Sequence, residues 1–503
     1  MTWIILTPTL KLTVRPEHID MILNIKHIAR GAMTVAAAMA AVCGCDFLNV
    51  SNEGRSTIPA FYSDASSVKS ALDGTYSLTY EFYDKYMILY PEVAGDLTRV
   101  QPSASDWIRQ FNFTSDETDE TTPVGFIWKS GYEIILNANE IIHYAPYVAQ
   151  RYPGQAKLID NYIAQAYFLR ALASLDLCLT YAQTYTYTSD ASHLGIAVLT
   201  YVPDVKAKIR RSSAADSYAQ IVKDLGTALS MFSADYAPGP SYAAAAACKA
   251  LLARVSLYMG RYSDAAGYAT DVIEDYGLQL TPRKDYRDMF CRQATGTESI
   301  LRLNGKYSTS NLRSIFSYIE PKIFPSQKVL STLTDEKDIR SSLLHHTNDN
   351  DTYDGICMKY ADINNIDEKE RHTDPFILRL SEMYLIRAES YCALGETGKA
   401  ASDIAALRAR AYGITIEEAM PEYSDSDDLD QQIMQERIKE LHLEGHRLFD
   451  ITRRHENLSR GSDTGATILE IDYPDERFIL PIPLVELEAN KDMQPNPVNK
   501  TQR

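Results

Sequence analysis

The sequence predicts a mainly α fold: tetratricopeptide-like helical hairpins, about four pairs, carrying an irregular, loop-rich face suited to ligand binding. Three observations lead there. An internal echo comes first: Ala253, Gly260, Ala265, Ala269 and Val272 recur in type and spacing as Ala388, Gly395, Ala400, Ile404 and Leu407, each set spelling helix, tight turn, helix. Apolar periodicity near 3.6 residues runs through residues 64–274 and again through 376–454, as helices with one buried face require. Between them, over about 275–375, the period lapses and aromatics and prolines gather, as in YSTSNLRSIFSYIEPKIFPSQ. A few short strands are expected there, folded onto the helices.

The helices follow in order. Residues 64–80 place Val68, Ala71, Leu72 and Tyr76 on one side. Residues 90–123 break the pattern: Asp96, Arg99, Trp107, Arg109, Phe111 and Phe113 are scattered among Ser, Pro, Gly and Thr. A long loop is expected, and long loops on helical bodies are often functional. Periodicity returns over 128–147, with Tyr132, Leu136, Asn139 and His143 stepping along one face, and over 158–181, rich in Ala and Leu. Ser213 with Asp216 resembles a capping box and opens a helix bearing Tyr218, Ile221, Leu225 and Ala228. In the echoed hairpins, Ala253 and Ala388 let neighbouring helices approach. Gly260 and Gly395 end the first helix of each pair, where φ must turn positive. Two hairpins alone bury too little core; residues 158–229 supply a third candidate pair and 64–147 a divergent fourth. Residues 424–430 form an acidic linker before a strong helix over 431–454, striped by Met434, Ile438, Leu441, Gly445 and Leu448. Pro481 and Pro483 keep the following segment extended.

The N-terminus suggests export. A basic flank (Lys26, Arg30) precedes a small-residue apolar run, 31–42, and then Val42-Cys43-Gly44-Cys45. Charge, short greasy core and small cut site are the parts of a secretory signal, and the apolar run is shorter than the roughly 20 residues a spanning helix needs. A cysteine directly after Gly44 reads as a lipobox, with cleavage before Cys45 and acylation of its sulfur; an ordinary signal that contains two cysteines is the alternative. Residues 1–44 are thus a signal region and 45–503 the mature body. Residues 1–20 carry no targeting pattern, so Met21 is the expected start, with a long n-region as the other reading.

Composition narrows the function. The 503-residue chain carries a net charge of −17, which argues against nucleic acid, whose phosphates call for basic surface. Seven cysteines show no paired spacing, so neither a disulfide framework nor a zinc site is implied. Tyr outnumbers Phe, 33 to 14, which suits carbohydrate recognition and equally suits half-buried positions. His442 and His446 lie one helical turn apart, but the order H-L-E-G-H puts Glu444 in the wrong place for a zinc peptidase. A polar helix flank, with Glu440 and Glu444 paired to Arg437 and Arg447, is the simpler account. The sequence has no G-x-S-x-G, Walker loop or dinucleotide fingerprint, and no cofactor, metal site or catalytic residue is expected.

Several ordered motifs together are similar to the SusD/RagB family of outer-membrane nutrient-binding lipoproteins. They are Cys45-Asp46-Phe47-Leu48; Trp128, Tyr132, Ile135 and Asn137-Ala138-Asn139; the run 164–175 (AQAYFLRALASL); 211–225; 250–260 with Tyr262 and Ala265; 378–389 (LRLSEMYLIRAE); Glu436-Arg437, Glu440-Leu441, Glu444-Gly445-His446-Arg447 and Asp450; and Pro481-Ile482-Pro483 with Gln494-Pro495-Asn496-Pro497. The resemblance implies four tetratricopeptide-like pairs. It implies a protein lipid-anchored to the outer membrane through Cys45 and facing the cell exterior, which captures an oligosaccharide and delivers it to a SusC-like TonB-dependent transporter without covalent chemistry. A peptide-binding member of the same import class, an exported hydrolase with an unrecognised site, and a helical-repeat adaptor that binds only protein are the alternatives. The family's blocks are scaffold motifs, so ligand residues must be argued from chemistry. A pyranose wants a flat aromatic and planar polar groups. The 90–123 loop with the 307–324 stretch offers Trp107 and Tyr318 for stacking, and Asp96, Arg99 and Arg109 for hydrogen bonding; a simply buried Trp107 is the competing account.

Overall fold

The computed structural model describes residues 57–118, 122–204, 206–291, 296–306, 308–317, 320–345, 355–360 and 372–500. Cys45, the signal region and Tyr318 lie outside them. The chain divides into two units, Met1–Phe61 and Tyr62–Arg503. The first contributes one short described helix, Ile58–Phe61; everything below concerns the second.

Its long helices are α1 (Ala65–Phe82), α2 (Pro123–Arg151), α3 (Ala156–Tyr181), α4 (Ala214–Met231), α5 (Ala245–Tyr258), α6 (Tyr262–Asp275), α7 (Leu380–Ala393), α8 (Thr397–Tyr412) and α9 (Ser426–Leu441). Each packs on the next in chain order. α1 also touches α3, α3 touches α5, and α5 touches α7. First helices therefore stack on first helices, the packing of tetratricopeptide hairpins: α1/α2, α3/α4, α5/α6 and α7/α8, with α9 laid against α7 and α8. The protein is mainly α, as its sequence predicts.

Local chemistry sets the boundaries. Asp64 Oδ1 accepts from Ser67 N at 2.8 Å, and Ser67 Oγ accepts from Asp64 N at 3.1 Å; this reciprocal cap opens α1. Gly260 and Gly395 have φ of +69° and +78° and end the first helices of the third and fourth pairs. Ala253, Ala388, Ala265 and Ala400 are buried at the helix contacts, where a larger side chain would separate the helices. α3 is apolar on nearly every side because it is enclosed: 83% of its apolar window is buried, the mark of a core helix.

Several readings of the sequence need correction. The helix expected over 431–454 is two pieces, α9 and α10 (Arg447–Arg453). Between them Leu443 and Gly445 take φ of +60° and +90°, which no right-handed helix accommodates. The acidic residues before it are no linker. Asp425 caps α9, accepting from Asp428 N at 2.9 Å, and Asp427 and Asp428 sit in its first turn, where the helix dipole favours them. The supposed loop over 90–123 contains a short helix, Leu89–Val93, then β1 (Thr98–Val100) and a second short helix, Ile108–Phe111. Its aromatic residues Trp107 and Phe111 are buried.

The intrahelical ion pairs expected at the histidines also do not form. Glu440 accepts from Arg379 Nη1 and from Arg410 Nη2, both at 2.7 Å, and from Arg340 Nη1 at 3.3 Å. Glu444 takes Lys359 at 2.6 Å and Arg379 Nε at 2.8 Å. Arg437 binds Asp450, and Arg447 binds Asp96. These groups are all buried. A carboxylate out of water needs more than one donor: Glu440, still inside α9, turns to three arginines from other segments, while the break carries Glu444 and Arg447 off the helix to partners of their own. Arg340, Lys359 and Arg379 come from the irregular face or the strand that borders it, so this network ties that face to α9.

Short antiparallel strands complete the face. β2 (Ser299–Arg302) pairs with β6 (Phe376–Arg379), β4 (Leu344–His345) with β5 (Ile356–Cys357), and β7 (Leu458–Ser459) with β8 (Glu470–Ile471). β1 pairs with β3 (Ile323–Pro325) in the register Thr98↔Pro325, Arg99↔Phe324, Val100↔Ile323. That last pair joins the two segments that hold the candidate ligand residues.

Candidate functional site

The end of α1 does not stop as an α-helix. It widens into a π turn, Tyr83–Met87; such turns are rare and frequently sit at functional sites. The extra residue per turn sends Asp84 inward and leaves Lys85 exposed and Tyr86 half-buried. Asp84 is the organiser. Its carboxylate accepts from Ser310 Oγ and from Asn311 N, each at 2.6 Å, and from Leu312 N at 3.4 Å. It thereby fixes the start of the short helix Asn311–Ile315 against the π turn. Burial pushes its carboxyl pKa up, against the pull of those donors.

The neighbouring wall comes from α2, which opens with Pro123 at its first position, where a missing N–H costs nothing. One turn on, Phe126 lies stacked with Tyr86, centroids 5.7 Å apart and planes 20° apart. Segment 103–107 supplies the next wall: Ala104 and Trp107 are buried, while Ser103, Ser105 and Asp106 are exposed. The β1–β3 pair closes the ring through two backbone bonds, Gln101 N to Lys322 O and Lys322 N to Ile315 O, both 2.9 Å. Together Lys85, Tyr86, residues 103–107, Pro123, Phe126, Asn311, Ile315 and Lys322 line a cleft of about 270 Å³. A stacked aromatic pair beside amide, hydroxyl, carboxylate and ammonium groups offers a flat apolar surface with polar groups around it.

Two larger hollows are less suited to a polar ligand. One, of about 580 Å³, lies at the hairpin ends, but its arginines are committed: Arg453 to Glu389, and Arg454 to Glu389 and Asp430. The other, of about 530 Å³, is an apolar groove between α2 and the C-terminal segment. Phe126 lines both this groove and the smaller cleft.

Comparison with known sequences places the fold. A family model described as the SusD family matches residues 281–498, and a second, described as starch-binding and associating with the outer membrane, matches residues 46–257. The chain belongs to the SusD/RagB family. Two SusD-like proteins of Formosa agariphila, P2 and P38, are each 24% identical to it. P2 aligns over 527 residues, 92% of this chain and 98% of its own; P38 aligns over 486, 85% and 91%. Among solved structures, a SusD superfamily protein from Bacteroides thetaiotaomicron VPI-5482 superposes with a TM-score of 0.76 at 23% identity, covering 86% of this chain and all of that one. A laminarin-binding SusD-like protein superposes with a TM-score of 0.68 at 19% identity, covering 87% of this chain and 100% of its own.

Within this SusD-like body the expected ligand residues part company. Trp107 lines the cleft, though it is only 4% exposed. Asp96, Arg99 and Arg109 do not line it. Asp96 is 1% exposed and accepts from Arg447 Nε and Lys328 Nζ, each at 2.6 Å. Burial alone would raise its pKa, but the two cations hold it below the ordinary value, so it is a structural carboxylate. Arg99 donates from Nε to Pro325 O at 2.9 Å and lies over the Phe324 ring at 5.4 Å, bracing the β1–β3 pair. Arg109 is exposed, with Nη1 3.5 Å from Asp116. Tyr318 lies outside the described residues. His442 and His446, the metal candidates set aside from sequence, are buried and held neutral, their pKa values lowered by burial to about 3 and about 4.

Sequence reasoning missed Lys85, Tyr86, Asp106, Phe126, Asn311 and Lys322. Pro123 was an available signal, since a proline at the first helical position extends α2 back to include Phe126. Nothing in the spacing of 83–87 announces a π turn.

Proposed function

We propose that this SusD-like chain is a cell-surface lipoprotein, anchored through Cys45, that captures an oligosaccharide in the 270 Å³ cleft and delivers it to a SusC-like TonB-dependent outer-membrane transporter. The stacked Tyr86–Phe126 pair, flanked by Asn311, Lys322 and Asp106, carries the reading. A pyranose ring lies on the aromatic face while its hydroxyls meet groups that both donate and accept. The protein binds and releases its ligand and breaks no bond. Membership of a family described as starch-binding at the outer membrane, and structural likeness to a laminarin-binding protein, support a glycan over a peptide.

Affinity electrophoresis through gels cast with α-glucan, laminarin and acidic polysaccharides tests capture. Retardation by at least one glycan is expected, and weaker retardation of Tyr86→Ala; a protein retarded by none, or a variant that runs unchanged, defeats the cleft assignment. Labelling with radioactive palmitate tests the anchor: label should enter the native protein and not Cys45→Ser. Co-purification of a TonB-dependent receptor from outer membranes tests the partner.

A further inference from the structure

We propose that Glu92, Arg437 and His442 build a site for a single internal water molecule, at the seam where the 442–446 helix break meets the short helix Leu89–Val93. The three side chains line one chamber of about 10 Å³ together with His446, Arg447 and Asp450. That volume suits about one water. All three are at least nine-tenths buried: Glu92 1%, Arg437 3% and His442 1% exposed.

Among the described residues, each has one function satisfied and another that finds no partner. Glu92 Oε1 accepts from Gly445 N and His446 N, both at 2.9 Å, while Oε2 has no partner among the described residues. Arg437 Nε donates to Asp450 Oδ2 at 2.7 Å, while Nη1 and Nη2 have none. His442 Nδ1 lies 3.0 Å from Lys439 O. A carbonyl only accepts, so Nδ1 carries the proton and Nε2, also unpartnered, presents a lone pair.

The leftover groups are two acceptors and a pair of donors. Buried polar groups are seldom left in that state, because each costs the price of its lost hydration. A water molecule matches them: it accepts from Arg437 and donates to Glu92 Oε2 and to His442 Nε2. If Glu92 takes up a proton, its hydroxyl turns to the same water, which then accepts from Glu92 and Arg437 and still donates to His442. A halide would meet the carboxylate and the imidazole lone pair. A metal cation would meet the guanidinium. The site sits one turn beyond the π turn bearing Tyr86, so it locks the cleft's first wall to the arginine-rich seam.

High-resolution crystallography of the protein, native and soaked in bromide, is the test. One density peak within hydrogen-bond distance of Glu92 Oε2, an Arg437 Nη and His442 Nε2, without anomalous signal, is expected. Arg437 in direct contact with Glu92 Oε2 and a closed chamber would overturn the proposal, and so would a bromide peak. In His442→Leu crystals the peak should vanish; a peak of unchanged occupancy would remove His442 from the site.

Discussion

Asp96 and Arg447 stand 351 positions apart in the chain, yet two hydrogen bonds join them: Nε to Oδ1 at 2.6 Å and Nη2 to Oδ2 at 3.0 Å. The fork grips the carboxylate at both oxygens, the strongest geometry such a pair has. It fastens the segment before β1 to the first residue of α10. Asp96→Ala strands a buried guanidinium, and the loss should be about 3–5 kcal/mol in urea unfolding. A loss under about 1 kcal/mol would mean that the pair is dispensable.

Gly445 controls the seam next to the cleft. Its φ is +90°, and a Cβ added there would come within 3.1 Å of Ile88 Cα and Met87 O, on the chain that carries the π turn. Gly445→Ala should cost about 1–3 kcal/mol from backbone strain alone and should weaken glycan binding as well, since Met87 is pushed. Unaltered melting temperature and affinity together would show that the seam yields freely.

Acid should unfold the protein through its buried carboxylates. For Glu444 burial opposes ionisation, but Arg379 and Lys359 outweigh it and lower the pKa from 4.5 to about 2. The folded pKa lies below the unfolded one, so the stabilisation is whole above pH 4.5 and drains away as pH falls toward 2. A melting-temperature profile should fall across that window, and a flat one would contradict the ion network.

Asp176 works in the opposite sense. Burial raises its pKa from 3.8 to about 7, even though Tyr83 donates to it at 2.6 Å. The folded state then keeps a proton that the unfolded chain releases, so stability declines as pH rises from about 4 to 7. Asp176→Asn should remove this slope and raise the melting temperature relative to wild type more at pH 8 than at pH 4. Equal shifts at both pH values would refute it.

The cleft residues should separate binding from folding. Tyr86→Ala and Phe126→Ala each remove half of one stacked pair, and each should weaken glycan affinity about three- to tenfold, the worth of roughly 0.5–1.5 kcal/mol of ring contact. Arg109→Ala, outside the cleft, should change affinity less than twofold. Titration calorimetry with the best glycan from the gels reads all three. Trp107→Ala should lower stability as well as affinity, because its ring is buried.

Much of the framework was legible along the chain. Helical periodicity is a local signal, and so is the demand for positive φ at Gly260 and Gly395, which is why the hairpins could be read from residue types alone. The pairing of charges could not. Glu440 and Glu444 look like members of an intrahelical ladder, yet Glu440 turns from its own helix to arginines of other segments, and Glu444 is taken off the helix by two residues of positive φ, Leu443 and Gly445, only one of which is a glycine. Burial likewise escapes a residue list: Asp96 and Arg109 are similar as sequence candidates, yet one is sealed beneath Arg447 and the other faces solvent.

Sequence by itself determined the repeat, its helical class and the resemblance to an exported nutrient-binding family, because periodicity, small-residue contacts and a cysteine after a greasy run are each written within a few dozen residues. Only the tertiary structure decided where a ligand could rest. Tyr86, Phe126, Asn311 and Lys322 come from a π turn, a helix start, a short helix and the flank of β3, and the wall that unites them exists only after Asp84 caps Asn311 and β1 pairs with β3. Contacts between residues hundreds of positions apart leave no local pattern, so they become visible only when the chain has folded.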